Sequence, residues 1–275
     1  MQDVTRQSLE AKETRARSSR LRRQHVGENA ARLAVLIAVV WFWHAAAARH
    51  DVALLPGPGD TYAGLMRGWK LIRVAALDTS TEIALGFAVG VLAGLVLGSV
   101  IGLSKTLQGV LHPFLILYQA VPKIGLAPMI VLLLGFGILP KVVLAGMSAL
   151  FPVLENTIIG IQRVDEDGLR LFEALGASRF QTYWKLRLIG ALPSIMTGVR
   201  VAVVLATVSV VVTEFVAGRI GLGAAMMAGY AQLDTPLVFG ALAVLTLIGL
   251  AYYFGVFLIE SLVLRWFRLA PPARS

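Results

Sequence analysis

Seven polar or charged residues interrupt the long apolar stretches of this sequence, and they are the candidates for chemistry there: Glu155, Asn156, Arg200, Thr207, Ser209, Thr213 and Glu214. Ionisable groups inside hydrocarbon are costly to bury, so they are functional candidates by default. Five of them share one apolar stretch, namely Arg200, Thr207, Ser209, Thr213 and Glu214. We therefore expect that stretch to line a pathway for a polar solute. Arg200 lies about two turns from one end of the same stretch, where its side chain could instead snorkel to the membrane surface.

The sequence contains no arrangement typical of catalysis. It lacks the Gly-x4-Gly-Lys-Ser/Thr pattern that binds nucleotide phosphates, and it suggests no Ser-His-Asp or paired-carboxylate site. There is no cysteine, and the four histidines are scattered singly rather than at metal-ligand spacing. We predict a non-catalytic protein with no metal and no cofactor, whose energy comes from a partner.

The composition indicates a membrane protein. Hydrophobic residues make up 57% of the 275 residues and charged residues only 15%, against about 25% charged in soluble domains. Six apolar segments can cross a bilayer, at about residues 31–48, 79–103, 113–134, 141–161, 194–216 and 237–264. The predicted fold class is therefore an all-α polytopic membrane protein with six transmembrane helices.

The distribution of positive charge predicts how these helices are oriented. Most of the 25 lysines and arginines fall on the side that carries residues 1–30, residues 161–193 and the C-terminus. That side is the cytoplasm by the positive-inside rule, and Lys141 and Arg219 are then among the few basic residues outside. The +9 net charge thus reflects basic segments at an anionic membrane surface rather than nucleic-acid binding.

This orientation divides the chain into four parts. Residues 1–30 form a flexible basic cytoplasmic arm, because their apolar residues are too sparse for a core. Residues 31–78 comprise the first transmembrane helix and a periplasmic loop with a turn at residues 56–59. Residues 79–264 form the helical core, and residues 265–275 form a cytoplasmic tail.

Two of the core segments have distinct patterns. The second segment has a glycine at every fourth position: Gly86, Gly90, Gly94, Gly98 and Gly102. These glycines share one helix face and predict close packing against another helix, within the subunit or between subunits. The third segment is broken by Pro122 and Pro128, and Lys123 lies inside the break. Lys123 either lies at the membrane interface or faces a cavity.

Residues 161–193 form a charged stretch between the fourth and fifth segments. Their apolar residues recur at helical spacing, and Gly176 interrupts the pattern near its middle. We predict two short amphipathic helices with a turn at Gly176, held outside the membrane. They either pack on their own helices as a folded loop or offer an apolar face to a partner.

This charged stretch resembles the cytoplasmic "EAA" loop of binding-protein-dependent ABC importer permeases. The family pattern is Glu-Ala-Ala, three residues, Gly, nine residues and Ile-x-Leu-Pro. Gly176 and the nine-residue spacing to Leu186-Arg187-Leu188 match it, whereas Arg170-Leu171-Phe172 and Ile189 depart from it. Runs such as QAVPKIGLAPMIVLLLGFG, FPVLENTIIGI and LPSIMTGVRVA extend the likeness, toward the nitrate, sulfonate and taurine branch, over about residues 79–264.

The resemblance implies a type I importer permease in a bacterial inner membrane. Its loop would be a coupling helix that docks on a separate cytoplasmic ATPase through Glu173, Ala174, Leu175, Gly176, Ala177, Arg179, Phe180 and Trp184. A periplasmic or surface-anchored binding protein would deliver a small solute, such as a sulfonate, taurine, nitrate or related organic compound. A second permease chain, either a second copy of this one in a homodimer or a different permease, would complete the pathway. The alternative is a self-sufficient secondary transporter or channel, which should show inverted repeats or more membrane charges.

Overall fold

The computed structural model describes residues 31–52 and 54–267. The predicted arm at 1–30 and most of the tail lie outside the described residues. The chain divides into two units between residues 62 and 63. In the first unit, helix α1 covers Ala31–Ala47, and Trp43 Nε1 donates a hydrogen bond to the Pro56 carbonyl at 3.1 Å. These 17 residues make a helix of about 26 Å, shorter than a hydrocarbon core of about 30 Å.

The remaining elements are all helical in the part of the chain that the structure describes. They are α2 (Pro58–Arg67), α3 (Trp69–Gly102), α4 (Lys105–Ala120), α5 (Ala127–Leu134), α6 (Ile138–Gln162), α7 (Glu166–Ala174), α8 (Arg179–Thr182), α9 (Leu188–Ala217), α10 (Leu222–Ala231) and α11 (Thr235–Trp266). A 3₁₀ turn covers Lys123–Leu126, and a π-helical turn covers Tyr183–Arg187.

Four of the helices within the described ranges are long and apolar enough to cross a membrane, and a fifth span results if α4 and α5 are counted together. The predicted all-α fold is confirmed. The sixth span, expected near residues 31–48, is not confirmed, because α1 is a shorter apolar helix. The predicted break in the third segment is confirmed. The chain bends there by 70°, because Pro122 cannot continue the backbone hydrogen bonding of α4.

Helix α3 begins ten residues earlier than the sequence analysis predicts. Residues 69–78, assigned there to the periplasmic loop, are its first turns. Ile72 and Ala75 are buried, whereas Lys70 and Arg73 are not. An amphipathic helical pattern explains this extension, since the polar side chains of this stretch lie on one face and leave the other free to pack.

The glycine face of α3 packs directly on α6, within the subunit. A Cβ atom added at Gly90 would lie 2.6 Å from the Gly146 carbonyl oxygen, and one added at Gly98 would lie 2.7 Å from that of Leu154. Gly86, Gly94 and Gly102 meet α6 in the same way. The absence of side chains lets the two backbones approach closely, which is how helices associate in lipid.

Helix α6 is also packed against α9, so α3, α6 and α9 form the core of the second unit. The buried side chains along this core are small, including Ala145 and Ala149 on α6 and Ala202 and Ala206 on α9. Helix α11 contacts α9 and α10, but many of its large apolar residues, including Leu247, Leu258 and Trp266, are exposed. We infer that the outer surface of α11 faces lipid.

Replacing Gly90 with alanine should destabilise the protein by about 1–3 kcal/mol, because the new methyl group overlaps atoms of α6. Gly255, in the middle of α11, is a matched control, since a Cβ there meets no atom within 4 Å. Gly255→Ala should be neutral or slightly stabilising. Thermal unfolding of the purified variants in detergent measures both changes, and equal melting temperatures would contradict the packing described here.

Candidate functional site

The α6–α9 loop, residues 163–187, is the most polar part of the second unit, and Gly176 shapes it. Helix α7 ends in a Schellman arrangement, in which the Gly176 amide donates to the Glu173 carbonyl and the Ala177 amide to that of Phe172, both at 2.9 Å. Gly176 has a φ of +68°, which an L side chain rarely adopts. The predicted turn at Gly176 therefore follows from a backbone conformation that glycine readily adopts.

The second half of the loop differs from the prediction. Ser178 begins α8 with a capping box, in which its hydroxyl accepts from the Gln181 amide and the Gln181 side chain accepts from the Ser178 amide. Helix α8 is not a separate short helix, because it continues through the π-helical turn into α9. Residues 179–217 thus form one helix of 39 residues, about 58 Å long, with Pro193 inside it.

The α6–α9 loop exposes an apolar surface. Leu175 and Phe180 are 74% and 71% exposed, and Leu171 and Trp184 are also exposed. The Trp184 ring contacts both Phe180 and Tyr183, at centroid distances of 6.0 and 5.3 Å. The predicted coupling residues Glu173, Ala174, Leu175, Gly176, Arg179, Phe180 and Trp184 lie at the surface, and Ala177 is half-buried.

One hydrogen bond fastens this loop to the core. The Tyr183 hydroxyl donates to Ser99 Oγ on α3 at 2.8 Å, at the π-helical turn where the loop meets α9. π-Helical turns inside α-helices are frequent at functional sites. The arrangement gives a compact, apolar-tipped projection with a fixed attachment to the core.

The structure places most of the predicted pathway residues inside the subunit. Ser209, Thr213 and Glu214 are 1–2% exposed, and only Thr207 is half-buried. The Thr207 and Thr213 hydroxyls donate to carbonyls one turn earlier on α9, and Ser209 donates to Ser148 Oγ on α6 at 2.7 Å. These hydroxyl groups are satisfied within the single chain, and their assignment to the pathway stays a prediction.

Glu214 belongs to a buried polar network near one end of the core. Its Oε1 accepts from the Thr79 hydroxyl at 2.7 Å, and its Oε2 accepts from the Gly223 amide at 2.6 Å. The Thr79 hydroxyl in turn accepts from the Leu222 amide at 2.8 Å. Glu214 therefore ties α9 to α3, and Glu214 and Thr79 together satisfy the Gly223 and Leu222 amides that begin α10.

Lys141 supplies the positive charge of this network. It is 3% exposed, and its Nζ lies 2.6 Å from Glu82 Oε1 and 3.9 Å from Glu214 Oε1. Nζ also donates to the Ile220 carbonyl at 3.0 Å. The network thus joins α3, α6 and α9 with one ammonium between two carboxylates.

The charge distribution predicts Lys141 on the outer side of the membrane, and no sequence pattern singles out Glu82. Both residues are interior. The missed signal is a charge pair inside apolar segments: Glu82 follows four residues after Asp78 in a long apolar helix, and Lys141 opens the fourth predicted segment. Arg200 also differs from the snorkelling interpretation, since its Nε lies 3.1 Å from Glu260 on α11.

The fold and this loop define a class: a multi-pass helical membrane protein with an exposed apolar projection between two core helices. Residues 90–268 match the family of binding-protein-dependent transport system inner membrane components. The match covers more than half of the chain, so the protein belongs to this family. It is the permease component of an ABC importer and a multi-pass protein of the inner membrane. The resemblance seen in the sequence is confirmed.

Two curated relatives and one solved structure show how far the similarity extends. The chain is 40% identical over 162 residues to the riboflavin transport system permease protein RibX of Chloroflexus aurantiacus. The match covers 59% of this chain and 60% of RibX, so it spans less than two thirds of that relative. It is 32% identical over 186 residues to the taurine transport system permease protein TauC of Escherichia coli, covering 68% of each. The crystal structure of an amino acid ABC transporter with histidines superposes with a TM-score of 0.56 at 18% identity, over 73% of this chain and 96% of that one, which shows the shared fold.

Replacing Lys141 with methionine should destabilise the protein by about 3–5 kcal/mol, because Glu82 is left buried without its partner. The double variant Glu82→Leu/Lys141→Met should recover most of this loss, since apolar side chains replace a buried ion pair at little cost. Unfolding of the purified variants in detergent measures both. Lys70→Met, at an exposed lysine, is the control and should change stability by less than about 0.5 kcal/mol. A Lys141→Met variant as stable as Lys70→Met would contradict the network.

Proposed function

We propose that this chain forms the solute pathway of an ATP-driven importer and is driven through its α6–α9 loop by a separate cytoplasmic ATPase. The observation that carries the proposal is the exposed apolar surface of Leu171, Leu175, Phe180 and Trp184 on an otherwise charged loop. An exposed cluster of large apolar side chains marks an interaction site, and aromatic residues are the usual energetic centres of interfaces. Arg179 and Lys185 beside it would set the register against acidic groups of the ATPase.

The continuity of α8 with α9 supports a specific form of coupling. A movement of the loop, driven by closure of an ATPase dimer, acts directly on one end of a helix about 58 Å long. The other end of that helix carries Glu214, which is tied to α3 and α10. The loop and the outer network would therefore move as parts of one rigid element, which is a mechanism based on tilting of a helix.

We also propose that a second copy of the chain completes the pathway. Val201, Val204, Leu205 and Val208 form a face of α9 that is 40–47% exposed in the single chain. A pathway for a polar solute must exclude lipid, and a single copy leaves this face open. A second chain placed against α9 would enclose it.

The six-span topology, with both termini and the α6–α9 loop in the cytoplasm, belongs to the same proposal and rests on the charge distribution.

The solute that we propose is a small anion such as a sulfonate or nitrate, delivered by a periplasmic binding protein. The relatives TauC and RibX are described as taurine and riboflavin permeases, so similarity alone supports both a sulfonate and a larger aromatic solute. Positive charge favours the anion, since the membrane-embedded part of the second unit presents Lys123 at the broken span.

Replacing Phe180 with alanine should weaken binding of the ATPase about 30-fold, because truncation of an interface aromatic costs about 2 kcal/mol. The matched control is Glu166→Gln on the same loop, whose side chain is 84% exposed and lies 3.6 Å from Arg170. It should bind normally. Titration of the purified permease with its ATPase, by surface-immobilised binding, measures both. Unchanged affinity in the Phe180 variant would place the ATPase elsewhere.

Replacing Gly176 with glutamate should leave the chain inserted but uncouple ATP hydrolysis from uptake. The position requires a φ of +68° and lies at the exposed corner of the loop, so the change disturbs both its backbone and its contact surface. Gly176→Asn is the milder control, because asparagine tolerates that conformation. Proteoliposomes measure ATP hydrolysis and uptake together. Normal coupled uptake by the glutamate variant would contradict this role.

A further inference from the structure

A groove of about 280 Å³ lies where the third predicted segment is broken. Its lining includes Pro122 and Lys123 from the break, Ser148 from α6, and Leu205, Val208 and Ser209 from α9. Leu205 and Val208 belong to the exposed face of α9 described above. The groove is just below the size of about 300–1,000 Å³ that holds a drug-sized ligand, so it suits a small solute.

The depth of the groove decides between the two alternatives for Lys123. Ser148 lines the groove and lies about 15 Å from one end of α6 and about 21 Å from the other. Lys123 lines the same groove as this mid-helix residue. It faces a cavity rather than the interface.

The charge of Lys123 is not neutralised by a carboxylate among the described residues. Lys141 on α6 and Arg200 on α9 are each paired with a glutamate. No ion pair of the described chain includes Lys123, whose Nζ instead lies 4.6 Å from the centroid of the Tyr118 ring. A ring face stabilises an ammonium group but leaves its charge available to an anion.

Two hydroxyl groups neighbour the Lys123 ammonium group, that of Ser148 in the same groove and that of Tyr118 beneath it. Ser209 donates its hydroxyl proton to Ser148 Oγ at 2.7 Å, which leaves the Ser148 proton for another acceptor. The Tyr118 hydroxyl donates to the Met147 carbonyl at 2.6 Å, and this bond holds the ring beneath the lysine. An ammonium and a hydroxyl donor that line one small groove match the oxygen atoms of an oxyanion.

We propose that Lys123 and Ser148 form a binding site for the anionic group of a small solute, a sulfonate or a nitrate-like oxyanion, partway along the membrane. The inference rests on the proposed function, because the groove opens on the face of α9 that we assign to the pathway. A lipid headgroup shares this chemistry, but headgroups lie at the ends of a hydrocarbon core of about 30 Å and do not reach the middle of α6. Removing the charge should therefore reduce the affinity of the groove for small anions.

The chain has no cysteine, so a single Val208→Cys substitution gives a unique reporter on the groove. The full chain in nanodiscs of zwitterionic lipid is treated with an anionic or a cationic methanethiosulfonate reagent of similar size. The ratio of anionic to cationic labelling rate should fall about fivefold when Lys123→Gln is added, because loss of one unit charge at a separation on the order of 8 Å acts on the two reagents in opposite senses. Lys123→Arg should retain the ratio, and Lys70→Gln, at an exposed lysine, should not change it.

Competition identifies the ligand. Methanesulfonate should slow the labelling of Val208→Cys, and this protection should be lost with Lys123→Gln. An unchanged labelling ratio in Lys123→Gln, or protection by anionic lipid but not by methanesulfonate, would overturn the site. If neither Val208→Cys nor Leu205→Cys reacts with either reagent, the groove is closed to solutes and the proposal is also overturned. The assay requires no ATPase and no transport, so its failure is distinct from a failure of the proposed function, which ATP-dependent uptake tests separately.

Discussion

The close contact between α3 and α6 is the constraint on which the rest of the second unit depends. Five glycines on one face of α3 remove every side chain that would separate the two backbones. Because α6 is held so closely on one side, it can pack small side chains against α9 on the other, and the three helices become one layered core. The loop between α6 and α9 is consequently attached at both ends to rigid helices, which is what an element that transmits force requires.

The close packing of this core also determines how its buried charges are paired. Lys141, Glu82 and Glu214 are enclosed where lipid and water do not reach, so each needs partners from neighbouring helices. Their pairing joins α3 to the start of α6 and the end of α9, near the start of α10. Lys123 differs because it lies beside a groove and its partner is an aromatic ring. Ser209, Thr213 and Glu214 are buried between the helices, and Ser209 also lines the groove, which we propose as part of the pathway.

The sequence predicted the features that depend on local chemistry. The spacing of the glycines, the break at Pro122 and the corner at Gly176 each follow from what one residue type allows its own backbone to do. The sequence did not predict which face of α9 is buried, because serine and threonine satisfy their hydroxyls on their own helix and can face either way. It also missed the Glu82–Lys141 pair, which depends on two helices meeting, and the continuity of α8 with α9 through the π-helical turn.

The central claim is that this permease moves a solute only when an ATPase acts on its α6–α9 loop. Uptake by proteoliposomes that contain the purified permease, its ATPase and its binding protein tests the claim most directly, with a labelled small sulfonate as the solute. The account predicts uptake only when ATP, the ATPase and the binding protein are all present. Equal uptake by vesicles that contain the permease alone, driven by a gradient of the solute or of protons, would contradict it and would indicate a self-sufficient transporter.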